Sequence, residues 1–114
     1  MRTPKETINL LKEACEDVLN DPIILKGKKL EYSKKNGSAW DFTIFSEFND
    51  VPEDTIKLCV TQSGPNVYYI VLSNNINCRD VKKYIVDKIK EKCGKTFVSH
   101  KTIEGKFIGF TITF

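Results

Sequence analysis

The fold is decided by residues 56–72, which read IKLCVTQSGPNVYYIVL. Apolar side chains occupy alternate positions from Ile56 to Val60, which is the period of a half-buried β-strand. Serine, glycine, proline and asparagine at residues 63–66 then supply a turn. Residues 67–72 are apolar at consecutive positions, which is typical of a strand covered on both faces. The stretch therefore predicts two strands joined by a tight turn, with the second strand inside the sheet.

Two more strands are predicted before this stretch. The first covers residues 23–33, with a possible bulge at Gly27. The second covers residues 40–48, where aromatic and aliphatic side chains alternate with polar ones. A lysine-rich turn with an Asn-Gly pair, residues 34–38, joins them. We therefore expect these two strands to form a hairpin.

Two helices and a second hairpin complete the pattern. Thr3, Pro4 and Glu6 form a capping box that starts a helix, which ends before Pro22. A second helix is expected between a cap at Asn77 and a stop at Gly94. Two strands follow, over residues 97–103 and 107–114. The last of them has no charge and no proline, so its edges must be paired, either inside the sheet or by dimerisation with a second copy.

The element order is therefore α-β-β-β-β-α-β-β. Consecutive strands with short connections favour antiparallel pairing, since parallel crossovers need a dozen or more residues. We predict one α+β domain over residues 1–114: a mainly antiparallel sheet of five to six strands with two helices packed on one face.

Composition excludes several classes of protein. The 114 residues are 40% hydrophobic and 29% charged, which is typical of a folded globular domain. No apolar run approaches the roughly 18 residues of a membrane span, and no secretory signal is recognisable. Cys15, Cys59, Cys78 and Cys93 form no Cys-x-x-Cys pair, so we expect reduced, mostly buried thiols in a cytoplasmic protein. We expect no membrane association.

Charge is distributed unevenly along the chain, although the formal total is only +3. Residues 22–38 carry five basic and one acidic side chain, and residues 77–95 carry seven basic and three acidic ones. Residues 39–55 between them carry five acidic side chains and no basic one. Whether the two basic segments meet in space decides between a single anion-binding surface and two ordinary solvated faces.

Candidate binding residues follow from these basic segments and from aromatic side chains that the strand alternation turns away from the core. The basic candidates are Lys28, Lys29, Lys34, Lys35, Arg79, Lys82, Lys83 and Lys90. Phe45 and Tyr68 are the aromatic candidates, as stacking surfaces for a base or a partner side chain.

Signals for catalysis are weak. Cys78 is the candidate nucleophile, because a helix start and the adjacent Arg79 lower the pKa of a thiol. His100, the only histidine, would be its base, but the spacing matches no cysteine-hydrolase signature. The acidic loop of Asp50, Glu53 and Asp54 lacks a calcium-loop frame, and no phosphate-binding glycine loop occurs. We therefore expect no enzyme, no metal and no cofactor.

Two functions remain. The first is a small non-enzymatic protein-binding module, such as an inhibitor, an adaptor or an assembly subunit, that uses a charge-segregated surface. The second is an RNA- or DNA-binding module that uses the lysines of the second helix and the first hairpin.

Overall fold

The computed structural model describes residues 2–33, 48, 51–73, 80–103 and 105–114. The helices of this part of the chain are α1 (Pro4–Leu19), α2 (Pro22–Leu25) and α3 (Val81–Cys93). The strands are β1 (Lys29–Tyr32), β2 (Thr55–Gly64), β3 (Val67–Leu72), β4 (Phe97–Ile103) and β5 (Lys106–Thr113).

The strands form one sheet in the order β1-β2-β3-β5-β4. Three of the four neighbouring pairs are antiparallel, namely β2 with β3, β3 with β5, and β5 with β4. This confirms the predicted α+β class and the mainly antiparallel sheet. The tight turn predicted at residues 63–66 is also present, since β2 and β3 are joined through Pro65 and Asn66.

The beginning of the sheet differs from the prediction of one strand over residues 23–33. The Asp21 side chain accepts a hydrogen bond from the Ile23 amide at 2.9 Å and caps the short helix α2. Lys26, in the left-handed conformation with φ 49°, ends that helix. A strand is therefore present only from Lys29 to Tyr32.

Strand β1 runs parallel to β2, with Leu30 opposite Ile56. Residues 33–54 connect the two strands, and a connection of that length allows a parallel crossover. The predicted hairpin requires residues 34–48, and its second arm lies outside the described residues except for Phe48.

The final strand lies inside the sheet. Ile112 of β5 is paired with Tyr68 of β3 on one side and with Val98 of β4 on the other. Of the two expectations for the C-terminal strand, pairing inside the sheet is therefore confirmed. The other expectation, dimerisation through an open edge of this strand, is wrong, because neighbouring strands already pair both of its edges.

Helices α1 and α3 pack against each other and cover one face of the sheet. The Thr3 side chain caps α1 by accepting a hydrogen bond from the Glu6 amide at 3.2 Å, as the capping box predicts. Gly94 ends α3 as expected, but its N-cap is Asp80 rather than the predicted Asn77, so the helix begins later than predicted. Asn77 itself lies outside the described residues. The largest fully buried side chains of the resulting core are Leu11, Leu19, Ile56, Leu58, Ile70, Ile85, Ile89, Phe110 and Ile112.

Side chains on the opposite face of the sheet form a second, smaller cluster. Cys59 and Val71 are buried there, and Phe48 packs against them. Among the helices of the described chain, none combines the length and apolarity that crossing a membrane requires.

Candidate functional site

The predicted basic residues lie in two separate places. Lys82, Lys83 and Lys90 are exposed on α3, and the Lys82 Nζ lies 4.2 Å from the centre of the Phe107 ring on β5. Lys29 is exposed and Lys28 is half-buried at the start of β1, at one edge of the sheet. Lys34, Lys35 and Arg79 lie outside the described residues.

These two places do not form one continuous patch among the described residues. Strands β2 and β3 lie between β1 and β5, so Lys29 and the Phe107 strand are three strand spacings, or about 14 Å, apart. A phosphate backbone that contacted both groups would have to pass across the width of the sheet.

Of the two aromatic candidates, Phe45 lies outside the described residues and Tyr68 is buried. Tyr68 is only 4% exposed, on the face of the sheet that the helices cover, so its ring is not a stacking surface. Tyr69 points to the opposite face, since successive strand residues alternate, and the Lys101 Nζ lies 4.3 Å from its ring centre. The prediction of Tyr68 as the aromatic residue that faces away from the core is therefore wrong, and the neighbouring Tyr69 has that orientation.

The chemical candidates have few partners in the described part of the chain. His100 is exposed, and its ring lies edge-on to those of Phe107 and Phe110, while Cys78 is outside the described residues. Cys15, Cys59 and Cys93 are buried, and none of the three forms a disulfide with another described residue. Within the described ranges, no three His, Cys, Asp or Glu side chains are grouped so that they would hold a metal ion.

A groove between the helices brings together residues that the sequence patterns did not single out. It has a volume of about 250 Å³ and lies between the end of α1, α2 and the outer side of α3. Val18 and Ile24 are buried and form its floor, and Tyr84 of α3 lies on its wall with 45% of its surface exposed. Ile23, next to Ile24, is 77% exposed.

Carboxylates dominate the rim of this groove. Its charged lining consists of Asp17, Asp21, Asp87, Lys88 and Glu91. Asp17 is neutralised by the Lys92 Nζ at 3.1 Å, and Glu91 by the Lys88 Nζ at 3.3 Å. The carboxylate of Asp17 raises the pKa of Lys92, because it stabilises the charged ammonium.

Asp21 and Asp87 differ from the other two carboxylates. In the described part of the chain neither has an ion-pair partner, although Asp21 accepts the α2 capping hydrogen bond. The groove therefore has an apolar floor, an exposed tyrosine on its wall, and two carboxylates that form no ion pair with any described residue.

This groove has a partial signal in the sequence. Tyr84, Asp87, Lys88 and Glu91 follow the spacing of one helical face, which places them in a stripe beside the buried stripe of α3. The other wall includes α2, which lies where the sequence analysis predicted a strand over residues 23–33. The groove could therefore be recognised only in the tertiary structure.

Comparisons with known proteins add no assignment. No family model, no curated protein and no solved structure matches this chain.

Proposed function

We propose that this chain is a small non-enzymatic protein-binding module, of the inhibitor, adaptor or assembly-subunit kind, and that the groove between α1, α2 and α3 is its binding site. The observation that carries the proposal is the exposure of Tyr84 on the wall of the groove, together with the carboxylates of Asp21 and Asp87, which form no ion pair within the described part of the chain. Ile23, the neighbour in sequence of the floor residue Ile24, adds a second exposed apolar side chain. Exposed aromatic and aliphatic side chains around a concave surface are typical of interaction sites.

The charges of the groove indicate the chemistry of the partner. Four carboxylates and one ammonium line it, so a partner with lysine or arginine side chains gains favourable contacts, while an acidic partner is repelled. The floor of Val18 and Ile24 provides an apolar surface for one or two aliphatic side chains. The occupant that fits is a segment of another protein that combines apolar anchors with basic residues, as an amphipathic helix does.

Binding of a defined peptide tests this proposal. The probe is a labelled peptide of about 15 residues with leucines at i, i+3, i+4 and i+7 and lysines on its flanks. Two comparison peptides replace either the lysines by glutamates or the leucines by serines. We expect fluorescence anisotropy to show binding of the first peptide alone, with an affinity that falls as salt is added.

Variants of the groove localise that binding. Ile23→Ser removes an exposed apolar anchor and Asp87→Lys reverses an unpaired charge, and each is expected to weaken binding about tenfold. Glu53→Lys makes the same charge reversal at an exposed position outside the groove and serves as the matched control. Equal binding by all three variants, or no binding of the basic peptide at millimolar protein, contradicts the proposal.

Nucleic-acid binding is the alternative, and the exposed lysines of α3 support it. Lys82, Lys83 and Lys90 have no ion-pair partner among the described residues, and they lie outside the groove. This alternative predicts retardation of single-stranded RNA or DNA in a gel at low salt, which Lys82/Lys83→Glu abolishes. If the protein does not retard the nucleic acid at low salt, the nucleic-acid-binding alternative is wrong.

A further inference from the structure

A second concavity, which we call the terminal cleft, lies at the opposite end of α1 from the groove. It has a volume of about 430 Å³, within the range of small-molecule sites, and forms where the start of α1 meets the β2–β3 turn and the end of β5. Its polar lining includes Arg2, Gln62, Asn66 and Tyr68. None of the described residues that line it is Asp or Glu.

Arg2 brings a fixed positive charge to the terminal cleft. Its guanidinium donates a hydrogen bond at 3.1 Å to the carbonyl oxygen of Cys93, at the end of α3. A guanidinium has five N–H donors, so this anchor leaves several of them available. Arg2 forms no ion pair within the described part of the chain, so its charge is not neutralised there.

Tyr68 brings a hydroxyl group that has no hydrogen-bond partner within the described part of the chain. The residue is 96% buried, since 4% of its surface is exposed, and its ring is held edge-on by Phe114 at a centroid distance of 5.6 Å. Among described side chains, the Thr96 hydroxyl is the fully enclosed polar atom that lacks a hydrogen bond. The Tyr68 hydroxyl is therefore not fully enclosed, and Tyr68 is one of the residues that line the terminal cleft.

Most of the Tyr68 side chain is buried while its hydroxyl is not fully enclosed, so this hydroxyl can donate a hydrogen bond to a molecule in the cleft. The N-terminus of α1 adds a positive electrostatic field at the same place, since Pro4 and Thr7 of its first turn also line the cleft. Arg2, Tyr68 and the first turn of α1 thus line one cleft, and its described lining contains no Asp or Glu side chain.

We propose that the terminal cleft binds a small organic molecule with an oxyanion, carboxylate or phosphate, attached to an apolar body. The Arg2 guanidinium and the Tyr68 hydroxyl donate hydrogen bonds to the oxyanion. Phe114 and Pro65 line the same cleft and contact the apolar part. This site is separate from the groove and does not depend on the function proposed for it.

Titration with simple probes tests this site on the whole chain. The probes are phenylacetate, phenyl phosphate, inorganic phosphate and the neutral benzyl alcohol, and amide chemical shifts or calorimetry report binding. We expect the two aromatic oxyanions to bind at millimolar or lower concentration, and benzyl alcohol to bind at least tenfold more weakly. Tighter binding of phenylacetate or of phenyl phosphate identifies which oxyanion the site accepts, and equal binding by inorganic phosphate excludes a role for the apolar walls.

Two variants assign the binding to this cleft. Tyr68→Phe keeps the ring against Phe114 and removes only the hydroxyl, so we expect affinity to fall about 3- to 10-fold. Arg2→Gln removes the charge and is expected to reduce affinity by tenfold or more. Tyr69→Phe makes the same chemical change one residue along, on the opposite face of β3, and should leave binding unchanged. The proposal is overturned if no oxyanion binds, if benzyl alcohol binds equally well, or if both cleft variants bind like the unmodified protein.

Discussion

Tyr32 is the residue that ties the first helix to the edge of the sheet. Its hydroxyl donates a hydrogen bond to Glu16 of α1, and the Lys12 Nζ lies 5.2 Å from its ring centre. Burial raises the pKa of Tyr32, and the hydrogen bond to Glu16 and the negative charge of that carboxylate raise it further. The neutral phenol is therefore the form that the folded state stabilises.

This shift predicts a loss of stability at alkaline pH. The pKa of Tyr32 is higher in the folded than in the unfolded state, so its contribution is present below about pH 10, the unfolded value, and is lost as pH rises further. We expect the free energy of unfolding, measured with urea from pH 8 to 11, to fall less steeply in Tyr32→Phe than in the unmodified chain. Tyr84→Phe, at an exposed tyrosine of α3, is the control, and equal slopes for Tyr32→Phe and the unmodified chain contradict the prediction.

At the scale of elements, the pairing of β3 with β5 depends on the close approach of two backbones. Gly109 of β5 lies opposite Val71 with φ 154°, a conformation that favours glycine. A Cβ atom at this position would lie 1.7 Å from the Ile70 carbonyl oxygen, far inside van der Waals contact. The central position of β5 therefore requires glycine at residue 109.

Gly109→Ala is accordingly predicted to destabilise the protein by roughly 3 kcal/mol, since backbone atoms rather than a mobile side chain must move. Chemical denaturation monitored by circular dichroism measures the change. Gly64→Ala at the end of β2 is the matched control, because an added Cβ there meets no atom within 4 Å. A Gly109→Ala variant as stable as the Gly64→Ala variant would show that the strands tolerate separation at this point.

At the scale of the molecule, two buried cysteines lie on opposite sides of the sheet, so their reactivity can be used to follow the opening of each side. Cys15 belongs to α1 and lies in the main core between the helices and the sheet. Cys59 lies in the small cluster on the opposite face of the sheet, with Phe48 and Val71. Both side chains are inaccessible, and burial raises the pKa of Cys15, which further disfavours the reactive thiolate.

If the chain is one cooperative domain, both thiols should become reactive together. In a Cys78→Ser background, we expect a thiol reagent to label Cys15 and Cys59 only across the urea unfolding transition, with coincident midpoints by mass spectrometry. Labelling of Cys59 well below the midpoint for Cys15 would show that the opposite face opens independently.

Local signals in the sequence predicted much of this architecture. The capping box at Thr3 and Glu6, the stop at Gly94 and the paired runs around residues 63–66 each act within a few residues, so they are readable without the fold. The absence of charge in the final strand also predicted a place inside the sheet as one of two alternatives, and the sheet order confirms it. The strand expected over residues 23–33 was wrong at its start, because the capping contact of Asp21 outweighs the β-propensity of two isoleucines.

The sequence by itself determined the α+β class, the bounds of α1, the end of α3 and the uneven charge, since these depend on periodicity and on neighbours along the chain. Only the tertiary structure decided which elements meet. It separated the lysines of β1 from those of α3, buried Tyr68 and turned Tyr69 outward. It also formed the groove and the terminal cleft from segments that lie far apart in the sequence. The physical reason is that strand order and helix packing are set by long-range contacts, which leave no periodic trace in the sequence.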